Sequence, residues 1–155
     1  MKLLKDSRKR FFGSSRGVTV FEIVVTMGIM VFIVGWGLIV GFGWYRQIIL
    51  NSERDNLVGY LRRARSAALD NINQVSHGLY IGGDTYTVFE GTSYAARNST
   101  ADQSFPKSSI ISVGGPLEFV FGALTGNPAA SGAITLSDNV KSLTISINNE
   151  GRIDW

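Results

Sequence analysis

The sequence predicts an α+β protein: a long N-terminal helix, apolar in its first half and amphipathic in its second, packed on a C-terminal antiparallel β head of two small sheets. Three observations carry this expectation. From Ile23 to Tyr45 there are 23 residues with neither a charge nor a proline. From Leu50 to Ile72 apolar side chains recur at helical spacing. After Asp70 the period changes from 3.6 to 2, and glycine-rich turns separate short apolar runs.

The first element is a basic leader. Residues 1–17 hold Lys2, Lys5, Arg8, Lys9, Arg10 and Arg16 against a single acid, Asp6. Positive flanks stay on the cytoplasmic side, so this end is expected inside and the rest of the chain outside. At ~1.5 Å per residue the apolar run reaches about 35 Å, enough to cross a bilayer once. A secretory signal peptide has a shorter apolar region and a small-residue cleavage site after it. Here the run is too long and no Ala-x-Ala follows. An ordinary anchor explains length and orientation, but not Glu22 at the mouth of the run or Gly17 at its border. An ionisable side chain in lipid costs a few kcal/mol even on lenient scales, which makes Glu22 a functional candidate.

Residues 18–45 read as one membrane helix. Gly28, Gly35, Gly37, Gly41 and Gly43 would let neighbouring helices approach closely, Gly37 and Gly41 at the spacing of the small-residue pairing motif. The same glycines also permit local softening of the helix. Trp36, Trp44 and Tyr45 are expected interfacial anchors, with Arg46 marking the outer border. Residues 46–72 read as an amphipathic continuation. Leu50, Leu57, Leu61, Ala64, Ala68 and Ile72 fall on one stripe, with Arg62 and Arg63 pointing away and Arg65 at its edge.

Residues 73–155 read as the β head. Strands are expected over Gln74–Ile81 and Thr85–Phe89, joined by Gly82-Gly83-Asp84, and over Ile110–Val113, Leu117–Phe121, Ala133–Leu136 and Leu143–Ile147. Turns are expected at Gly114-Gly115-Pro116, Gly126-Asn127-Pro128, Ser137-Asp138-Asn139 and Asn148-Asn149-Glu150-Gly151, the last leading into residues 152–155. Residues 91–108 read as polar and irregular.

Composition narrows the function classes. Six of the 15 Lys and Arg and one of the 12 acids lie in the leader, so a chain trimmed there would carry nine positive and eleven negative residues. The basic balance therefore reports topology and argues against a general nucleic-acid binder. With no cysteine, disulfides and thiol chemistry are excluded. His77 is the sole histidine, with no visible acid–base partner. Asp84, Glu90, Asp102, Glu118 and Asp138 lack metal-ligand spacing. Gly82-Gly83-Asp84 is not a phosphate loop. Asn98-Ser99-Thr100 fits a glycosylation sequon, a motif short enough to arise by chance. Phe89, Phe105, Phe119 and Phe121 read as core. No catalytic residue, metal site or cofactor is implied.

Gly17 followed by Val18-Thr19-Val20-Phe21-Glu22 resembles the processing site of type IV prepilins and type II secretion pseudopilins. The resemblance implies a pilin-like fold and a cut between Gly17 and Val18 by a membrane prepilin peptidase, which then methylates the new amine. Thr19 and Glu22 match the family pattern; Val18 departs from the usual Phe or Met. In the head, Leu61-Arg62-Arg63-Ala64-Arg65-Ser66-Ala67-Ala68 with Gln74-Val75 is similar to the helix end and first strand of the GspH/FimT minor pseudopilins and pilins. Leu117-Glu118-Phe119, Gly122, Gly126, Ala133–Leu136, Leu143–Ser146 and Gly151-Arg152-Ile153 continue that pattern.

The resemblance implies a non-catalytic subunit of a type IV pilus or secretion pseudopilus. By that resemblance it would sit in the bacterial inner membrane before assembly into an extracytoplasmic filament. Its partners would be homologous subunits, membrane lipid, the prepilin peptidase, and an inner-membrane platform with its ATPase. Glu22 would pair with the Val18 ammonium of an adjoining subunit, two charges becoming tolerable together in lipid. Two rivals remain. Some family members bind DNA through a C-terminal Gly-Arg-x-Arg; Gly151 and Arg152 match, but Asp154 stands where the second arginine would be. A membrane-anchored enzyme would need a clustered acid–base set.

Overall fold

The computed structural model describes residues 17–155, and within α1 the side chains of residues 39–42 lie outside the description. The leader expected over residues 1–17 therefore falls, apart from Gly17, outside the described residues, as do the surroundings of Gly41. The chain divides between Gly41 and Phe42 into two compact units.

Helix α1 spans Val20–Leu69. In the first unit every described side chain from residue 17 to residue 38 is exposed. These include Val20, Phe21, Val24, Met27, Phe32 and Trp36, so apolar surface faces outward all round. Helix propensity alone does not place such surface in water. By length and composition this helix can cross a membrane.

In the second unit α1 becomes one-sided. Leu50, Leu57, Leu61, Ala64 and Ala68 are buried as the spacing predicts, together with Val58 and Glu53 on the same seam. Ile72 does not join them. The helix ends at Leu69, and Ile72 lies beyond it in a 3-10 turn, Ile72–Gln74, half exposed. The cause is local backbone: Asn71, Asn73 and Gln74 all have positive φ, which breaks the helical screw.

Two four-stranded antiparallel sheets follow. One has β1 (His77–Ile81), β2 (Thr85–Glu90), β3 (Gln103–Pro106) and β5 (Glu118–Phe121) in the order β3-β2-β1-β5. The other has β4 (Ser112–Gly114), β6 (Gly132–Ser137), β7 (Ser142–Ile147) and β8 (Ile153–Asp154) in the order β4-β6-β7-β8. One core joins both sheets to the helix: Leu79, Ile81, Tyr86, Val88, Phe119 and Phe121 from the first, Ile134, Leu136, Ile145, Ile147 and Ile153 from the second. The α+β expectation, a helix on two small antiparallel sheets, holds.

Three strand expectations need correction. The first strand begins at His77 rather than Gln74, because of the left-handed residues just described. Residues 91–108 are not wholly irregular: Ser99–Ala101 form a 3-10 turn and Gln103–Pro106 add β3 to the edge of β2, Phe105 opposite Tyr86. The strand expected over Ile110–Val113 is shifted to β4, so that Ser112 opposes Ser137.

The first sheet is covered on both faces. Phe89 points away from the helix and is 1 % exposed, under the edge of the Tyr94 ring at 5.7 Å. Tyr94 also stacks on Tyr80 at 3.8 Å, and the Arg97 guanidinium lies 3.7 Å above its centroid. Arg97 donates to Asp102 at 2.8 Å, and this hydrogen bond holds the guanidinium above its ordinary range. The segment after β2 thus forms a small second core. Its strand partner Gly78 is required by close approach: a Cβ there would enter the Phe89 ring and the Phe119 carbonyl.

Candidate functional site

The motif that opens α1 is built by helix capping. The Thr19 hydroxyl accepts a 3.2 Å bond from the Glu22 amide, and the Ile23 amide bonds the Thr19 carbonyl at 3.2 Å. Thr19 is therefore the N-cap and Glu22 the third helical residue, the threonine-x-x-glutamate spacing of a capping box. The helix therefore starts at Val20 and not at residue 18 as expected, and the threonine-to-glutamate spacing is the sequence signal that marks this start. Glu22 is the acid of the first turn, where the helix dipole favours a negative charge. Further along, the Thr26 hydroxyl returns to the carbonyls of Glu22 and Ile23, both at 2.9 Å, and so hides its polarity in an apolar stretch. Among the described residues nothing lies within 4 Å of a Cβ at Gly17, and Val18 is 67 % exposed, so with respect to them the Gly17–Val18 bond precedes the helix in an accessible segment.

In the head, three positions singled out by resemblance meet. The Arg65 Nε donates to the Gly126 carbonyl at 3.2 Å and its Nη2 to the Glu150 carbonyl at 2.8 Å. Gly126 and Gly151 both have positive φ, +61° and +75°, and each is buried. The helix arginine thus holds the turn after β5 and the turn before β8 together. Next to it the Leu124 amide caps the helix end through the Ala68 carbonyl at 2.8 Å. These motif residues act on the fold.

Arg152 is exposed; its Nε donates to the Asp154 carboxylate at 2.9 Å, and its Nη2 lies 2.9 Å from the same oxygen as an ion pair. The pair is solvated and self-neutralising. Arg62 lies 4.2 Å over the Trp155 ring instead of standing free beside it.

His77 is buried and lies in a groove of about 360 Å³ lined by Arg63, Ser66, Asp70, Glu90 and Gln103 among others. Its Nδ1 is 3.1 Å from the Val75 carbonyl, which fixes the proton on Nδ1 when the ring is neutral. Its Nε2 lies 3.6 Å from Glu90, beyond hydrogen-bond reach; Glu90 accepts from Asn73 at 2.7 Å. Among the described residues no third group hydrogen-bonds the ring to complete a relay. Among the described residues no group of three or more His, Asp or Glu is arranged to hold a metal ion.

One buried acid escaped sequence reasoning. Glu53 is 7 % exposed and accepts from the Tyr86 hydroxyl at 2.9 Å and the Ser108 amide at 3.0 Å. Burial and the neighbouring carboxylate push the Tyr86 hydroxyl far above its ordinary range, and raise that of Tyr60. Position 53 lies between Leu50 and Leu57 at spacings of 3 and 4, so the stripe itself placed it inward. Asn98 of the sequon accepts from Thr100 through both its amide and its hydroxyl. No family model, curated protein or solved structure matches the chain.

Proposed function

We propose that the chain is a minor pilin or pseudopilin, a non-catalytic filament subunit carried in the bacterial inner membrane by its first helix and cut between Gly17 and Val18. The observation that carries this reading is the conjunction at the helix start. An accessible Gly17–Val18 bond is followed at once by a Thr19-capped helix, with Glu22 in its first turn and apolar surface exposed all round thereafter.

Physical chemistry supplies the mechanism. Cutting at Gly17 creates an ammonium on Val18, four residues before Glu22. In lipid each of these charges is costly alone. Brought together from adjoining subunits they compensate one another, so the gain appears only on assembly and only in one register. The remaining apolar surface exchanges lipid for neighbouring helices, and the small residues Gly28, Gly35 and Gly37 allow close approach. The membrane peptidase, platform and ATPase are the partners this reading requires. The Arg152–Asp154 pair neutralises the arginine through which the rival reading would bind DNA.

Mass spectrometry of protein from its native host tests the reading. The expected species begins at Val18 with a methylated amine, and Glu22→Gln is cut normally yet fails to enter filaments. A chain that still begins at Met1 overturns the proposal; a Glu22→Gln variant that assembles like the parent overturns the charge pairing alone.

A further inference from the structure

Where the apolar run ends, three distant parts of the sequence meet on one surface of the head. Trp44, Arg46 and Gln47 of α1 line an open hollow of about 520 Å³ with Asp138, Val140 and Lys141 of the β6–β7 turn. A second hollow joins Arg46, Asp138 and Asn139 to Ser109, Ile110 and Ile111. The apolar side chains here face outward: Trp44 is 73 % exposed, Val140 72 % and Ile110 53 %. An exposed valine at the tip of a two-strand turn is not there to fill the core.

The polar groups are sorted in a consistent way. Asp138 turns inward, 8 % exposed, and accepts from the amides of Val140 at 3.0 Å and Lys141 at 2.6 Å. Both bonds fall on Oδ1 and hold the turn closed, so that it displays Val140 and Lys141; the carboxylate keeps its charge, with the Arg46 cation nearby. The Lys141 ammonium donates to the neutral Gln47 amide at 3.0 Å, so its charge is retained. Arg46 lines both hollows. Aromatic and aliphatic groups flanked by cations match the headgroup layer of an anionic bilayer, where apolar tips dip in and long cationic side chains reach phosphates.

We infer that the Asp138–Lys141 turn and Ile110 form a second membrane contact, which seats the head on the anionic headgroup layer beside the Trp44–Arg46 border. This rests on the membrane reading of the apolar run, not on the pilin assignment. The contact would orient the head before assembly and would have to be broken when the subunit leaves the membrane.

The chain has no cysteine, so single-cysteine variants of the full chain can carry an environment-sensitive fluorophore at residue 30, 110, 140 or 149. Reconstituted sparsely into phosphatidylcholine–phosphatidylglycerol vesicles, Ile110→Cys and Val140→Cys labels should show lipid-like emission and be quenched by headgroup nitroxides several-fold more than Asn149→Cys, which lies beyond the opposite end of β7. Adding Lys141→Glu to Val140→Cys should reduce that quenching several-fold at low salt. Lipid-like emission at Met30→Cys with water-like emission at 110 and 140 overturns the second contact and leaves that surface to another subunit. Water-like emission at residue 30 as well overturns the membrane reading itself.

Discussion

The Tyr86 hydroxyl donates a 2.9 Å hydrogen bond to the Glu53 carboxylate across the seam between α1 and β2. The Ser108 amide donates to the same carboxylate oxygen at 3.0 Å. Helix, central sheet and the segment before β4 are thus tied at one buried acid. An acid in this position is tolerable only because its two donors are fixed by two separate elements.

Removing a donor should therefore cost more than an average surface change. Tyr86→Phe is expected to destabilise the head by about 1–3 kcal/mol, the range for leaving a buried polar group short of a partner. Glu53→Leu, which removes the charge but strands the hydroxyl and the amide, should fall in the same range. Denaturant unfolding of the full chain in detergent, followed by near-ultraviolet dichroism, measures both. Losses under about 0.5 kcal/mol would show that the seam does not depend on this contact.

The same contact predicts alkaline sensitivity. The folded Tyr86 hydroxyl is held far above its ordinary range, by burial first and by Glu53 second. Above about pH 10 the unfolded chain loses this proton while the folded chain keeps it, so stability falls as pH rises. The contribution is complete below that pH. Tyr86→Phe should flatten the decline between pH 10 and 11 relative to the parent, measured as unfolding midpoints at each pH; an unchanged slope would refute the assignment.

Arg65 should matter through geometry as much as charge. Its Nε and Nη2 reach two carbonyls in different turns, those of Gly126 and Glu150. A lysine offers a point charge and cannot reproduce that fork. Arg65→Ala is expected to cost about 1.5–3 kcal/mol, and Arg65→Lys to recover less than half of it. Hydrogen exchange should show the loss first at Gly126 and Gly151; full recovery by lysine would contradict the fork.

Gly78→Ala tests the small core behind the first sheet. The added methyl meets the Phe89 ring and the Phe119 carbonyl, and the ring is pinned by Tyr94. Overpacking of this kind costs about 1–3 kcal/mol. The variant should also loosen the segment after β2, read as faster proteolysis between residues 91 and 102. Parent-like resistance would mean that Phe89 moves aside freely.

The division between legible and hidden features follows from the range of the forces. Period and turn chemistry are local, so the amphipathic stripe, the hairpin at Gly82-Gly83-Asp84 and the turn at Asn148–Gly151 could be read directly. The N-cap at Thr19 is equally local, since a threonine three residues before a glutamate at the start of an apolar run is the spacing of a helix start. The strand over Gln103–Pro106 was not legible. Its residues alternate weakly, and it is a strand because the edge of β2 offers unpaired backbone groups. Glu53 was legible in position only: the stripe turns it inward, but the tyrosine of β2 and the amide of residue 108 that meet it come from distant parts of the chain.

The sequence by itself determined a charge-free run long enough to span a bilayer, the acid at its mouth, the one-sided helix beyond it and an antiparallel β head. These depend on composition and spacing along the chain. Only the tertiary structure decided which distant groups share a site: Arg65 with the two glycine turns, Glu53 with Tyr86, and the exposed Val140 turn beside Trp44. Such contacts are set by the packing of both sheets on one helix, and no spacing along the chain encodes them.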